Sequence, residues 1–328
     1  MQSRTLPTFE DVNKAALRIA DEALLTPALE SADLNSRTGG RILIKPETLQ
    51  RTGSFKFRGA YNRISQLDPR EHPQGVVAFS SGNHAQGVAA SARLKNLPAV
   101  IVMPDDAPVL KRANTESYGA TVVTYDRKCE DRIAIAKRIA EENSSVLVPA
   151  YDDPDIIAGQ GTVGLELATE ARRRDVDLDL LLVPCSGGGL IAGINLVFET
   201  LSPGTEVFVV EPEGFDDHAR SLRSGERVAN ELVSGSICDA LLSIQPGEMT
   251  FEINRRCLKG ALAVSDDEVR SAVTYAYRTL KLVVEPGGAV ALAALLAGKV
   301  DTKGKSVGIV LSGGNVDADQ FCSIVSEN

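Results

Sequence analysis

Four short stretches of this chain bring together residue types that can do chemistry. The first is RTGSFKFRGA at 51–60, where Lys56 follows a Gly53-Ser54 turn, sits between Phe55 and Phe57, and leads into a helical run. Most lysines are solvated surface charges. An amine flanked by two rings and a turn can instead be held in a pocket, where it acts as a nucleophile or proton carrier. The second stretch, SSGNHAQG at 80–87, ends a strand and opens a helix, so Ser80, Ser81, Asn83 and His84 stand at a helix N-terminus able to hold a carboxylate. N-capping alone by Ser81 or Asn83 accounts for the same residues. The third, CSGGGLIAG at 185–193, sets Ser186, Gly187, Gly188, Gly189 and Leu190 between a strand and a helix. Converging amides backed by a helix dipole make a cradle suited to phosphate. In the fourth, SGGN at 312–315, Ser312 either caps a turn or aims a hydroxyl into a site.

Two features leave alternatives open. Gly187, Gly189 and Ala192 spell GxGxxA after a strand, and Glu211 ends the next strand about twenty residues on, where a dinucleotide ribose is held. A nicotinamide-dependent oxidoreductase using the Gly187–Ala192 loop is therefore a rival reading. In EPEGFDD at 211–217, the carboxylates of Glu211 and Asp217 with a carbonyl between them can serve a hard divalent cation, or form a solvated loop. Spacing gives Glu285, ahead of Pro286, no role.

The elements that must position these stretches alternate. Strands are expected at 41–47, 75–81, 99–104, 121–125, 146–150, 178–184, 206–211 and 306–315, and helices near 8–24, 54–67, 83–96, 107–118, 127–142, 190–201, 266–280 and after Pro286. Strands rich in Val, Ile and Leu that alternate with helices predict an α/β protein with parallel sheets covered on both faces. The stretch 214–262 carries no clear period.

The 328 residues can bury a large core, in two domains or one large α/β unit. A formal charge of -9 argues against a nucleic-acid partner. Five scattered cysteines without a CxxC pair point to a reduced, cytoplasmic chain with no disulfide framework or zinc knuckle. Three distant histidines argue against a histidine-rich metal site, and neither a secretory leader nor a membrane span is expected.

Together SFKFRGA, SSGNHAQGVA, SGGGLIAG, VVEPE and LSGGN, in this order, resemble the fold-type-II pyridoxal phosphate enzymes of the threonine/serine dehydratase and serine racemase group, from about residue 8 to 320. The resemblance implies a tryptophan synthase β-like fold, with a large cofactor-binding domain from 1–68 and 152–328 and a small mobile domain from 69–151 that closes on substrate. It implies an ammonia-lyase acting on a serine, threonine or hydroxyaspartate class substrate, with amino-acid racemisation as the alternative. Lys56 matches the lysine that holds pyridoxal 5'-phosphate, so its site must favour the neutral amine over the ammonium of an ordinary lysine. Ser186 to Leu190 match the phosphate loop, Asn83 the partner of the ring hydroxyl, and Ser312 the partner of the pyridine nitrogen. Phe55 and Glu285 fall beside the cofactor. Ser81 matches a proton carrier on the opposite face, and Thr52, Ser80, Ser81, Asn83 and His84 match the substrate-binding set. Glu211, the carbonyl of Phe215 and Asp217 match a site for Mg, Ca or Mn, and a homodimer is implied.

The chain departs from the group's pattern at four places near the expected cofactor rim: Glu47-Thr48, Pro149-Ala150-Tyr151, Ala240 and Gly287. These departures direct attention to hydroxyaspartate or a bulkier β-hydroxy amino acid as substrate. With only a short segment after SGGN, no regulatory domain is expected. Replacing Lys56 by alanine is expected to lower release of 2-oxo acid at least roughly a thousandfold, in a coupled assay over a panel of β-hydroxy amino acids. The oxidoreductase reading predicts nicotinamide binding that survives this change.

Overall fold

The computed structural model describes residues 5–326, which form two parallel sheets wrapped by helices. Its strands are β1 (Arg41–Pro46), β2 (Val76–Phe79), β3 (Ala99–Pro104), β4 (Thr121–Tyr125), β5 (Val146–Leu147), β6 (Leu180–Pro184), β7 (Glu206–Pro212), β8 (Gly260–Val264) and β9 (Ser306–Leu311). The larger sheet has the order β1-β9-β6-β7-β8, and the smaller, β4-β3-β2-β5, comes from the chain between residues 76 and 147. All strand pairings in both sheets are parallel. No helix among the described residues is long and apolar enough to cross a membrane.

The apolar strands are buried on both faces because successive side chains point to opposite sides. Ile42, Ile44, Leu180 and Leu182 pack under the helix Pro286–Leu296, while Leu43, Leu181 and Val183 pack under the helices Pro154–Arg173 and Gly189–Leu201. In the smaller sheet Val76 and Ala78 face Ala60, Ile64 and Val88, while Val77 and Val102 face Ala136. The helices Pro154–Arg173 and Gly189–Leu201 cross at backbone contact. A Cβ on Gly193 would stand 2.3 Å from the Ile157 carbonyl oxygen, so only glycine allows this approach.

The expected spans of β3 and β4 match the observed ones, and differences elsewhere have local causes. The charged helix expected from 127 begins at Arg132, because the Asp131 carboxylate caps the amides of Ile133 and Ala134. The strand expected to run to 150 stops at Leu147, and the chain then turns toward the cleft. The irregular stretch contains the helices Asp217–Ser224 and Glu248–Cys257 and the edge strand β8. Strand β8 reads GALAV and is mostly half-buried, so it lacks the long apolar run of the inner strands. The helix expected over 266–280 is α-helical to Tyr275 and ends in a π turn at Ala276–Leu280.

A buried ion network joins these layers. Arg58, fully buried, donates from Nε to Glu47 at 2.7 Å and from Nη1 to Glu166 at 2.6 Å, and Lys45 also meets Glu166. Burial alone would lower the Arg58 pKa, but the two carboxylates hold it above the ordinary arginine value. The R58M variant strands the Glu47 carboxylate in the interior. We expect a stability loss of about 3–5 kcal/mol by denaturant unfolding.

Candidate active site

Lys56 is delivered by an abrupt turn. Thr52 at φ 64° and Gly53 at φ 71° are both left-handed, Ser54 then bridges to Gly313, and the Phe55 amide donates to the Ser312 carbonyl at 3.1 Å. This fastens the start of the helix Lys56–Ile64 to the end of β9, so Lys56 and Ser312 line one cleft. The Lys56 amine donates to the Ala150 carbonyl at 2.9 Å. Burial pulls its pKa down to about 8. At pH 7 roughly one molecule in ten then carries the neutral amine, against about one in a few thousand for an ordinary lysine.

The glycine loop forms the facing wall between β6 and the helix Gly189–Leu201. Its carbonyls are tied away from the cleft: Gly187 accepts from the Thr250 hydroxyl at 2.6 Å and the Gly247 amide at 3.1 Å. The Ser186 hydroxyl donates to Ser243 Oγ at 2.7 Å and accepts from its amide at 3.1 Å. The amides in the first turn of the helix have no acceptor within it, so they are available to an anion. Gly188 has φ 93°, and a Cβ there would approach His218 Nε2 to 2.7 Å.

A polar chain closes the third side. Asn83 donates to Glu285 and accepts from Asn315 at 2.9 Å, while the other Glu285 oxygen accepts from Lys111 at 2.8 Å and Lys111 reaches Asp239 at 2.9 Å. Burial would depress the Lys111 pKa, but the carboxylates on either side hold the ammonium above the ordinary lysine value. Ser80, Ser81 and His84 line the same cleft. His84 Nε2 lies 3.0 Å from the Val148 carbonyl and so carries the proton, leaving Nδ1 buried without a partner. Burial and then the neighbouring Lys56 charge push the His84 pKa down to about 3, so the ring is neutral.

Not every expected residue meets the cleft. Phe55, Lys56, Ser80, Ser81, Asn83, His84, Ser186 to Leu190 and Ser312 line it, whereas Glu285 stands one layer back, bonded to Asn83. Thr52 lies outside the lining, its carbonyl accepting from Asn315 at 2.7 Å. Glu211 accepts from the His218 and Ala219 amides at 2.9 and 3.0 Å, so this carboxylate caps a helix and is not presented to a ribose. Asp217 and Phe215 are buried beside it. Ala240 and Gly287 form one compensating pair, since a Cβ at 287 would come within 3.3 Å of the Ala240 methyl.

Lys111, Arg132, Tyr151 and Asp239 also line the cleft, and sequence reasoning did not select them as site residues. Lys111 reads as an ordinary helix lysine. The sign for Arg132 was its place directly after the N-cap Asp131, at the end of the smaller sheet. Its guanidinium lies 5.7 Å from the Phe79 ring centre and has no carboxylate partner among the described residues.

The family model for pyridoxal-phosphate dependent enzymes matches residues 19–313. The chain belongs to this family. It is 45% identical to the L-threo-3-hydroxyaspartate ammonia-lyase of Saccharomyces cerevisiae over 98% of this chain and 97% of that one. Among solved structures, the serine racemase of Dictyostelium discoideum superposes with a TM-score of 0.87 at 38% identity, covering 95% of this chain and 99% of that one. Maize serine racemase superposes with a TM-score of 0.91 at 34% identity, covering 98% of each. The protein is a fold-type-II pyridoxal phosphate enzyme, a carbon–oxygen lyase that converts a β-hydroxy amino acid to a 2-oxo acid and ammonia. The outward-tied glycine loop and the dehydrated Lys56 amine suit a phosphorylated aldehyde. Because the neutral amine is the nucleophile, cofactor uptake by the cofactor-free protein should speed up as pH rises, level off above about 8, and fall about tenfold per unit below it. Stopped-flow absorbance over a pH series measures this.

Proposed function

We propose that this enzyme acts on a β-hydroxy amino acid bearing a second carboxylate, of the 3-hydroxyaspartate class. The observation that carries this reading is the charge balance of the cleft. Of the cations lining it besides Lys56, Lys111 is matched by Glu285 and Asp239, while Arg132 has no acidic partner among the described residues. A guanidinium kept beside an aromatic ring and without a counter-ion is suited to a carboxylate that arrives with the substrate. The hydroxyaspartate ammonia-lyase from yeast among the relatives agrees with this reading.

The residues divide the work as follows. Bound pyridoxal phosphate supplies the electron sink that acidifies the Cα–H bond and lets the β-hydroxyl depart. The amides at 187–190 and the Ser186 hydroxyl would hold its phosphate, Ser312 would serve its ring nitrogen, and Phe55 would pack beside it. Asn83, clamped between Glu285 and Asn315, would present a fixed amide to its ring hydroxyl. The N-terminus of the helix Asn83–Leu94, with Ser80, Ser81 and neutral His84, receives the α-carboxylate, and Arg132 receives the second one. With substrate bound, the Lys56 amine would take the Cα proton, and its lowered pKa suits that role near neutral pH. Ser81 is the candidate for a proton carrier on the other face, the basis for racemisation as a side activity. The smaller sheet, with residues 69–151, closes over the bound substrate.

A metal ion belongs to the loop of Glu211, Phe215 and Asp217 in this reading. A divalent cation of the Mg, Ca or Mn kind would be held there by the unpartnered Asp217 Oδ2, the Phe215 carbonyl and the second lone pair of a Glu211 oxygen, since each Glu211 oxygen accepts only one amide hydrogen. Leu17, Leu24 and Leu25 are exposed close together in sequence, a surface that a second copy would cover in a homodimer. Five free cysteines suit a cytoplasmic, reducing setting.

The R132L variant tests the substrate assignment. We expect kcat/KM on 3-hydroxyaspartate to fall about a hundredfold, equivalent to roughly 3 kcal/mol for an unpaired carboxylate, while serine turnover changes no more than a few-fold. Equal losses on both substrates, or none, would overturn it.

A further inference from the structure

Donors and acceptors alternate along the polar chain at the cleft, and both ends of that chain are fixed. At one end Asn315 Nδ2 donates to the Thr52 carbonyl at 2.7 Å and to Asn83 Oδ1 at 2.9 Å. A backbone carbonyl only accepts, so the Asn315 amide cannot be turned end for end. At the other end the Lys111 ammonium donates to Glu285 Oε2 at 2.8 Å and to Asp239 at 2.9 Å, and an ammonium only donates. Between them Asn83 Nδ2 donates to Glu285 Oε1. The Asn83 amide therefore has one orientation that satisfies both neighbours, and its second N–H has no acceptor among the described residues.

Close packing holds these groups in place. Asn83 and Lys111 line the cleft, and Glu285, 1% exposed, links them from behind. A Cβ on Gly313 would stand 2.3 Å from Glu285 Oε1, and one on Gly82 would stand 2.4 Å from Lys111 Cδ. The carboxylate is thus boxed in by backbone, and the lysine stem runs against the loop that carries Asn83. Burial pushes the Glu285 carboxyl above the ordinary carboxylate value; the Lys111 ammonium opposes the rise and the Asp239 charge adds to it. Without the ammonium, the buried carboxyl would take up a proton and lose its character as a pure acceptor.

We propose that Lys111 is a positioning residue for the reaction: reaching from the smaller sheet to the larger, it holds Glu285 as an acceptor and so aims the free Asn83 N–H at the ring oxygen of the bound cofactor. This holds whichever β-hydroxy amino acid is the substrate, given that Asn83 meets the cofactor ring as read above. A glutamine in place of Glu285 shows why the ammonium matters. Beside Lys111 the new amide must present its oxygen to the ammonium, which sets its nitrogen against Asn83 Nδ2. Turning Asn83 instead sets nitrogen against nitrogen at Asn315. Each arrangement contains one clash of donors until the ammonium is removed as well.

The test reads the visible absorption and the dissociation constant of pyridoxal 5'-phosphate in purified variants. In E285Q the cofactor band should shift toward the near-ultraviolet and the dissociation constant rise about tenfold or more, the cost of one misplaced buried donor. K111M/E285Q frees the new amide to turn its oxygen to Asn83, and should return the band to its original place and the constant to within about threefold of the unmodified enzyme. K111M alone should move the band in the same direction as E285Q. D317A is the control: Asp317, past the end of β9, accepts from the Val109 and Leu110 amides at 3.2 and 3.0 Å and is a second tie between the helix Val109–Ser117 and the larger sheet's side. It should leave the band in place. A double variant no closer to the unmodified enzyme than E285Q, an unmoved band in K111M, or a shift in D317A equal to that in K111M would each overturn the proposal. If N83A leaves the band unmoved, Asn83 does not meet the ring and the proposal falls with that reading; if N83A shifts the band and E285Q does not, the reading stands and the proposal alone falls. If E285Q fails to fold, K111M compared with D317A decides.

Discussion

The site depends on how firmly Arg58 is held. Arg58 is two residues past Lys56, so the two side chains leave nearly opposite sides of one helix. The guanidinium is buried between Glu47, which follows β1, and Glu166 on the helix Pro154–Arg173. The same helix as Lys56 lays Ala60 and Ile64 against the core of the smaller sheet. The lysine is therefore carried by an element fixed to one sheet by charge and to the other by apolar packing. Two paired carboxylates keep Arg58 ionised, while Lys56, with burial as the cause of its shift, becomes the weaker base. Burial acts on both groups, and the partners decide the outcome.

Between the sheets, the polar chain from Asn315 through Asn83, Glu285 and Lys111 to Asp239 crosses the cleft's rim. Lys111 belongs to a helix on the smaller sheet, and Glu285 immediately precedes the helix Pro286–Leu296 on the larger one. A buried cation is thereby consumed in joining the sheets, and this is why the cleft offers its free positive charge at Arg132. The compensating pair Ala240 and Gly287 lies on the same side.

Much of the machinery was legible because it is local. A glycine run between a strand and a helix must turn amides outward, and SGGG at 186–189 announces that wherever the strand ends up. The motifs around Lys56, Asn83 and Ser312 are each contiguous, and their strands are apolar enough to be placed by pattern. The edge strand β8 was not legible: its small, half-buried residues carry neither a helical period nor a long apolar run. Lys111 and Arg132 look like solvated helix residues until the cleft is assembled around them.

The alternating fold could be read from the amino-acid order, and so could the stretches that carry Lys56 and the glycine loop, since each is contiguous along the chain. Which charges remain unpaired emerged only from the folded arrangement. Asp239 reaches Lys111 across 128 residues, Glu285 across 174, and Cys185 meets His218 across 33, and none of these pairings leaves a spacing signature. Electrostatic balance depends on distance through space and on exclusion of water. Both are set by how the two sheets close on each other, which the order of residues along either one does not reveal.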